Sequence, residues 1–469
     1  MKKQALFLCS LTLACCFLLL SCKKDSFISS PDARLSLSAD SLKYDTVFTT
    51  TGSVTKSFKI FNDNDQKLKL STIKLMGGSA SYYKMNVDGI AATEVNDLVI
   101  DANDSIYVFV SVTINPNAAN LPFIVSDSIQ VGYNGQKRYV QLQSYGQNAN
   151  FLRNHVLTGN NTWSSTLPYV ILGSLRVDTT ASLTIPAGTK IYSHADAPFI
   201  VDGTLIINGT KTANVVFTGD RLDADYKDLP ASWPGLYFRG MSRNNVLTYA
   251  VIKNAYQAVV LEKPSPNANA KLVMHQCVID NAWDAGLYAV NTSVLADNCL
   301  ISNCGANIVL TYGGTYNLTH CTSAAYSTNF FAHKNPVLTL SNYIDVNGTP
   351  AAADLNAVFR NCIFWGDEGF VNDEVKVYKQ GAGAFNVLFD KVLYRVQADP
   401  ANSTLSGVIN YQDPSFDSVD VFKRIFDFHV TKNSSAPGIN AGTLTPFPKD
   451  LDDKNRNFGL PDLGCYEKQ

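Results

Sequence analysis

Apolar and polar positions alternate from about residue 34 to residue 148, and then the pattern changes. The stretch "SIYVFVSVTINP" puts Ile106, Val108, Val110, Val112 and Ile114 on one side of an extended chain, and "SIQVGY" does the same with Ile129, Val131 and Tyr133. A period of two marks a strand buried on one face, so antiparallel sheets are expected here. The turn-forming cluster "NDNDQ" (62–66) separates "SFKIF" from "LKLSTIKL", which predicts a hairpin. Beyond "SYGQNANFLRNH" (144–155) the texture becomes short apolar runs broken by Gly, Asn and Thr, as in "YVILGSLRVDTTASLTIPAGTKIYS" and "PFIVDGTLIING".

Within this second region the chain repeats itself. "CVIDN" at 277–281 and "CLISN" at 299–303 lie 22 residues apart, and aligning Ala250, Cys277, Cys299, Cys321 and Cys362 gives offsets of 27, 22, 22 and 41. A repeat this short cannot bury a core alone, but it suits one coil of a parallel β-helix, in which turns stack strand on strand. The 41-residue step reads as two coils. Each unit carries a small inward residue (Ala or Cys), then Val251, Val278 or Leu300 outward, Ile252, Ile279 or Ile301 inward, and Lys253, Asp280 or Ser302 outward. Asn254, Asn281 and Asn303 follow and form an asparagine ladder at a corner, because Asn tolerates left-handed backbone and can bond along the stack. Cys277, Cys299, Cys321 and Cys362 read as small buried hydrophobes, and parallel in-register side chains point the same way, so thiols rather than disulfides are expected.

Bulk composition sharpens this reading only in part. The 469 residues are 46% hydrophobic and 17% charged with a formal net charge of −2, which gives no electrostatic case for nucleic acid. "MKK" closely followed by the apolar run "ALFLCSLTLACCFLLL" has the charged start and short apolar middle of a secretory signal. The run ends in "LLSC", which resembles the bacterial lipobox; that resemblance implies cleavage before Cys22 and lipid on its thiol and new amino group. "KKDSFISSPD" then resembles the tether of lipoproteins from Bacteroidetes-like bacteria, some of which reach the cell surface. The strand order of "SFKIFNDNDQKLKLSTIKLMGG", "YYKMNVDG" and "DSIYVFVSVTINP" resembles the immunoglobulin-like sandwich modules of bacterial surface proteins. Such modules usually serve as spacers or docking surfaces. "QDPSFD", "FHVTKNSSAPGINAG" and "LDDKNRNFGLPDLGCYE" resemble the choice-of-anchor ending of bacterial right-handed β-helix proteins. Asn440, Cys465 and the missing Gly after Asp453 depart from that ending, which weakens any metal or sorting role for Asp450, Asp452 and Asp453. A capping role is retained, since an open β-helix end exposes unpaired strand edges.

The expected organisation is therefore all-β: signal 1–21, tether 22–33, immunoglobulin-like sandwich 34–148, right-handed parallel β-helix 149–430 and capping segment 431–469. Family members that hydrolyse pectin carry "NTD", "DD", "GHG" and "RIK" segments; here only "DD" occurs, in the tail. No C-x-x-C or H-E-x-x-H supports a zinc site. The segment "GDRLDADYKDLPASWPGLYF" (219–238) interrupts the coils with Asp220, Asp223, Asp225 and Asp228, beside Arg221, Tyr226 and Trp233. Its carboxylates can take a hard cation such as Ca²⁺ or hydrogen-bond a sugar, and its rings can stack on one, while the alternative is a solvated loop over a buried Trp233. Lys253, Asp280 and Ser302 read as ordinary exposed variation, Trp283 and Trp365 as packing, and Asp367 and Glu368 as a polar turn. The expected function is a lipid-anchored outer-membrane envelope protein that binds glycan or another envelope component through the β-helix flank without chemistry and without a cofactor. The alternatives are a divergent polysaccharide lyase or glycoside hydrolase, and a structural spacer.

Overall fold

The computed structural model describes residues 26–49, 52–115, 123–366, 370–430, 432–456 and 459–469. Cys22 and the signal segment, together with Asp367 and Glu368, lie outside the described residues. Among the described residues, apart from a short 3-10 turn at Gly78–Ala80, the regular elements are all strands. The chain divides into two compact units, Met1–Asn148 and Ala149–Gln469.

In the first unit a six-stranded and a five-stranded sheet share one core. Ile106, Val108, Val110 and Val112 point into that core from Ser105–Val112, where they meet Ile73, Val131 and Leu142 of the other sheet. The alternation therefore does what its period requires. The hairpin expected around 62–66 does not form. Lys56–Asn62 belongs to the five-stranded sheet and Lys67–Leu75 to the six-stranded one, so the turn carries the chain across the core. Buried Asn62 fixes that crossing by donating from Nδ2 to the carbonyls of Gln66, Ile100 and Asp101. A local turn signal cannot distinguish a hairpin from a crossing of this kind.

The second unit is a parallel β-helix. A single 26-stranded sheet winds through three faces, and one coil runs Gln257–Glu262 on face A, Leu272–His275 on face B and Val278–Asp280 on face C before returning to face A at Ala285. Face C pairs in register as Val251, Val278, Leu300, Thr322, Ile363, Leu393 and Ile409. The residues one step earlier, Ala250, Cys277, Cys299, Cys321, Cys362 and Val392, consequently stand in one interior file within the main core, with half-buried Val408 packed against it. The four cysteines are free thiols, and the amide N–H groups of Cys277 and Cys321 point at the sulfurs of Cys299 and Cys362, 3.4 Å away.

The 41-residue step is one coil and not two: Thr322 pairs directly with Ile363. Its extra length is spent on the segment 326–336 and on the hairpin Tyr343–Val346/Thr349–Ala352, neither of which adds a layer to the stack. Corners are turned by left-handed residues. Asn254, Asn281 and Asn303 have φ of +62°, +56° and +49° between faces C and A. Between faces B and C the same geometry recurs at Tyr249, Gln276, Asn298, His320, Asn361 and Lys391, with φ from +47° to +55°.

The tail does not close an end of the stack. It runs along the outside of face C as a strap, covering Leu300, Ala324, Ile363 and Leu393 with Phe428, Leu451, Leu463 and Cys465. Those outward positions are apolar, so the strap removes apolar surface from water. Buried polar groups lock it in place: Arg456 donates to Asn298 Oδ1 (2.9 Å) and Glu467 Oε2 (2.9 Å), and Cys465 N–H donates to Thr322 Oγ1 (3.0 Å). Asp450 accepts the backbone N–H groups of Lys454 and Glu467, while Asp452 pairs with Lys211 and His429. These carboxylates fasten the strap.

Candidate functional site

A cleft of about 390 Å³ opens where the outward end of face C meets the asparagine corner. Its floor is the in-register row Lys253, Asp280 and Ser302 beside Asn254, Asn281 and Asn303. Three excursions from the regular stack wall it. The loop before Trp233 brings Asp228, the segment 326–336 brings Thr328 and Phe330, and the hairpin Ser418–Asp420/Ile425–Asp427 brings Lys423, Arg424 and Phe426.

The asparagine ladder positions the first of these walls. Asn254 Nδ2 donates to the Lys227 carbonyl (2.8 Å) and to Thr218 Oγ1 (3.2 Å). Asn281 Nδ2 donates to the Asp228 carbonyl (2.9 Å) and to Asn254 Oδ1 (2.8 Å), while Asn303 Oδ1 accepts the Tyr326 N–H at 3.1 Å. One column of residues thus turns the backbone, links successive coils and holds two excursions against the stack.

Charge within the cleft is unevenly matched. Asp280 Oδ1 accepts from Ser302 Oγ at 2.7 Å, and burial raises its pKa against the opposing influence of Ser302, Lys253, Asn303 and Arg424. The Arg424 guanidinium lies 4.5 Å above the Phe330 ring and 3.8 Å from Asp228 Oδ2, and Lys423 pairs with Asp420 at 3.2 Å. Lys253 has no direct ion-pair partner among the described residues. The site thus offers a cation, amide and hydroxyl donors, a carboxyl that resists ionisation, and two aromatic edges.

Most of the residues singled out in the acidic segment lie elsewhere. Asp220 bonds His194 Nδ1 at 2.7 Å, and burial raises its pKa. Arg221 makes a two-pronged contact with Asp223 (2.8 and 2.9 Å) and covers the Tyr226 ring at 3.8 Å, so that ring already has a partner on one face. Asp225 is exposed. Trp233 is 1% exposed, packs on Phe217 inside the helix and donates from Nε1 to the Lys253 carbonyl, so it cannot act as a stacking platform. Of the seven, only Asp228 reaches the cleft. Among the described residues no group of three His, Cys, Asp or Glu side chains could hold a metal ion, because Asp220, Asp223 and Asp228 turn to His194, Arg221 and Arg424 respectively.

Sequence reasoning set aside Lys253, Asp280 and Ser302 as surface variation. The signal that could have raised them was their place one step before each corner asparagine. Phe330, Lys423, Arg424 and Phe426 carry no repeat signal, since they sit on insertions. Trp283, expected to pack, is 47% exposed and meets Phe331 edge-on at 5.8 Å. Within the thiol file, burial drives the Cys299 and Cys362 thiols well up.

Residues 155–258 match a family described as a pectate-lyase-like beta helix domain. No curated protein matches the chain. Among solved structures, the GH87 alpha-1,3-glucanase catalytic unit of Streptomyces thermodiastaticus is similar at 10% identity, with 76% of this chain and 86% of that chain covered and a TM-score of 0.22. A family 123 glycoside hydrolase from Clostridium perfringens is similar at 13% identity and a TM-score of 0.20 over 28% of this chain, which spans only 30% of that enzyme. The PapD-like domain 7 of human CEP192 is similar at 10% identity and a TM-score of 0.18, covering 28% of this chain and 94% of that domain. Likenesses this distant carry no functional weight.

Proposed function

We propose that this chain is a lipid-anchored envelope protein that binds a polysaccharide in the flank cleft of its β-helix. One observation carries the reading: the Lys253 ammonium, without an ion-pair partner among the described residues, stands in register beside Asp280 in a cleft that the corner asparagines and the Phe330 and Phe426 rings also line. Sugars are recognised by this combination, hydroxyls meeting directed polar groups and ring faces meeting aromatic carbon. The pectate-lyase-like description of the matched family supports a glycan as the ligand class, and the surplus of cations supports an acidic one. Lipid on Cys22 would hold the protein at the outer membrane, possession of several acyl chains being enough without a spanning helix. The first unit, read as an immunoglobulin-like module, serves as a spacer or docking surface.

A second reading has one observation in its favour. A carboxyl whose pKa is raised by burial in a cleft is the kind a general acid uses, so Asp280 gives a polysaccharide lyase or hydrolase its best candidate, with Asp228 as the other carboxylate. Both readings are tested together by titrating the protein with acidic and neutral polysaccharides while following unsaturated products and reducing ends. Binding without products, weakened in Lys253→Met, is the expected result. Products that vanish in Asp280→Asn would replace binding by catalysis, and no binding to any member of the panel would leave the spacer reading in place.

A further inference from the structure

We propose that the first unit carries a second binding site, for a sugar ring bearing a carboxylate, in the pocket walled by Phe109 on the outer face of its five-stranded sheet. The strand Ser105–Val112 buries Ile106, Val108, Val110 and Val112, and therefore turns Tyr107 and Phe109 outward, where they remain 43% and 41% exposed. An outward face of this kind normally carries polar residues, because each aromatic ring left in water forgoes the gain from burial.

The two rings stack at 5.5 Å between centroids and 14° between planes, and the Lys59 ammonium lies 4.5 Å from the centre of the Tyr107 ring. Lys59 and Phe109 thus both occupy Tyr107, whereas Phe109 also borders a pocket of about 440 Å³ shared with Thr55, Lys84, Asn86 and Ser111. Strand register puts Asn86 directly opposite Phe109 and Lys84 opposite Ser111, which sets the polar groups along one side of the ring. Asn86 Oδ1 is held by the Gly89 N–H at 2.9 Å, so the amide is oriented before any ligand arrives. Lys84 has no ion-pair partner among the described residues.

A hexuronate suits this arrangement. The C–H face of its ring covers an aromatic plane, its hydroxyls reach Thr55, Asn86 and Ser111, and its carboxylate meets the Lys84 ammonium. A neutral hexose lacks the last contact, and an extended apolar peptide would leave the polar side of the pocket unpaired. None of these residues belongs to the β-helix cleft, so the inference stands on its own observations.

The test is calorimetric titration of the full chain with galacturonate and glucuronate trimers, and with a glucose trimer as the neutral probe. Phe109→Ala and Lys84→Met, both at exposed positions, are expected to weaken uronate binding about tenfold or more, with Phe109→Tyr retaining it. The uronate binding that they remove should persist in Lys253→Met, which disables only the β-helix cleft. Uronate binding unchanged in both Phe109→Ala and Lys84→Met would overturn the proposal, as would complete loss in Lys253→Met. Equal affinity for the neutral trimer would overturn the assigned ligand class.

Discussion

Asn281→Ala is the perturbation whose cost can be worked most fully from the structure. The substitution removes two hydrogen bonds, to the Asp228 carbonyl and to Asn254 Oδ1, each worth about 1 kcal/mol net. It also asks alanine to hold φ of +56°, at about 1 kcal/mol. The sum is about 3 kcal/mol. Asn347→Ala provides the control, because Asn347 is exposed at a hairpin turn with φ of +53° and its replacement should carry only the backbone part, about 1 kcal/mol. All four tryptophans, Trp163, Trp233, Trp283 and Trp365, lie in the second unit, so urea unfolding followed by tryptophan fluorescence reads the β-helix and not the first unit. The expected order is parent, then Asn347→Ala, then Asn281→Ala, with about 2 kcal/mol between the variants. Equal destabilisation of the two variants would mean that the ladder does not fasten the loop, and the reasoning behind the cleft's first wall would fail.

Other expectations follow from single groups. His320 is buried, accepts from Asn361 Nδ2 at 3.1 Å, and has its pKa pushed down to about 2, by burial first and then by the Arg456 charge. The unfolded chain therefore binds a proton that the folded one refuses, and stability should fall as pH drops below about 6.5, by up to about 1.4 kcal/mol per unit for this group. His320→Asn, which suits the φ of +52°, should flatten that limb of the urea midpoint against pH; an unchanged limb would count against it. Asp280 behaves oppositely: its raised folded pKa removes stability as pH rises from about 4. Asp280→Asn keeps an acceptor for Ser302 and should match or exceed the parent's stability at neutral pH, whereas a marked loss would refute the burial argument. Cys277, Cys299, Cys304, Cys321, Cys362 and Cys465 are buried, so a thiol reagent should modify them only at the rate of unfolding; rapid labelling of Cys277, Cys299, Cys321 or Cys362 in native protein would contradict the interior file.

How much of this was legible depends on whether a feature repeats. Inward and outward alternation, the 22-residue echo and the consecutive alignment of Ala250 with the cysteines are periodic, and the stack reproduces their registers. The step from Cys321 to Cys362 misled because sequence distance cannot separate an extra coil from insertions within one coil. The second corner column stayed hidden for a related reason: its left-handed geometry is imposed by the stack on Tyr249, Gln276, His320 and Lys391, which carry no common turn signature. The cleft was only half visible. Its floor lies on the repeat, but its walls come from residues 228, 330 and 424, which only the fold brings together. Trp233 shows the limit of composition: aromatic and acidic neighbours in sequence looked like a site, yet Trp233 bridges Ala255 at the edge of the loop and sends its indole inward onto Phe217.

Whether ligand occupies the flank cleft is decided by a hydrogen-exchange footprint with and without a saturating acidic oligosaccharide. Exchange is expected to slow in the segments around Asp228, Asn281, Asn303, Phe330 and Arg424, and this protection to be lost in Lys253→Met. Protection confined to other faces of the β-helix, or none in that unit at all, would contradict occupancy of the cleft.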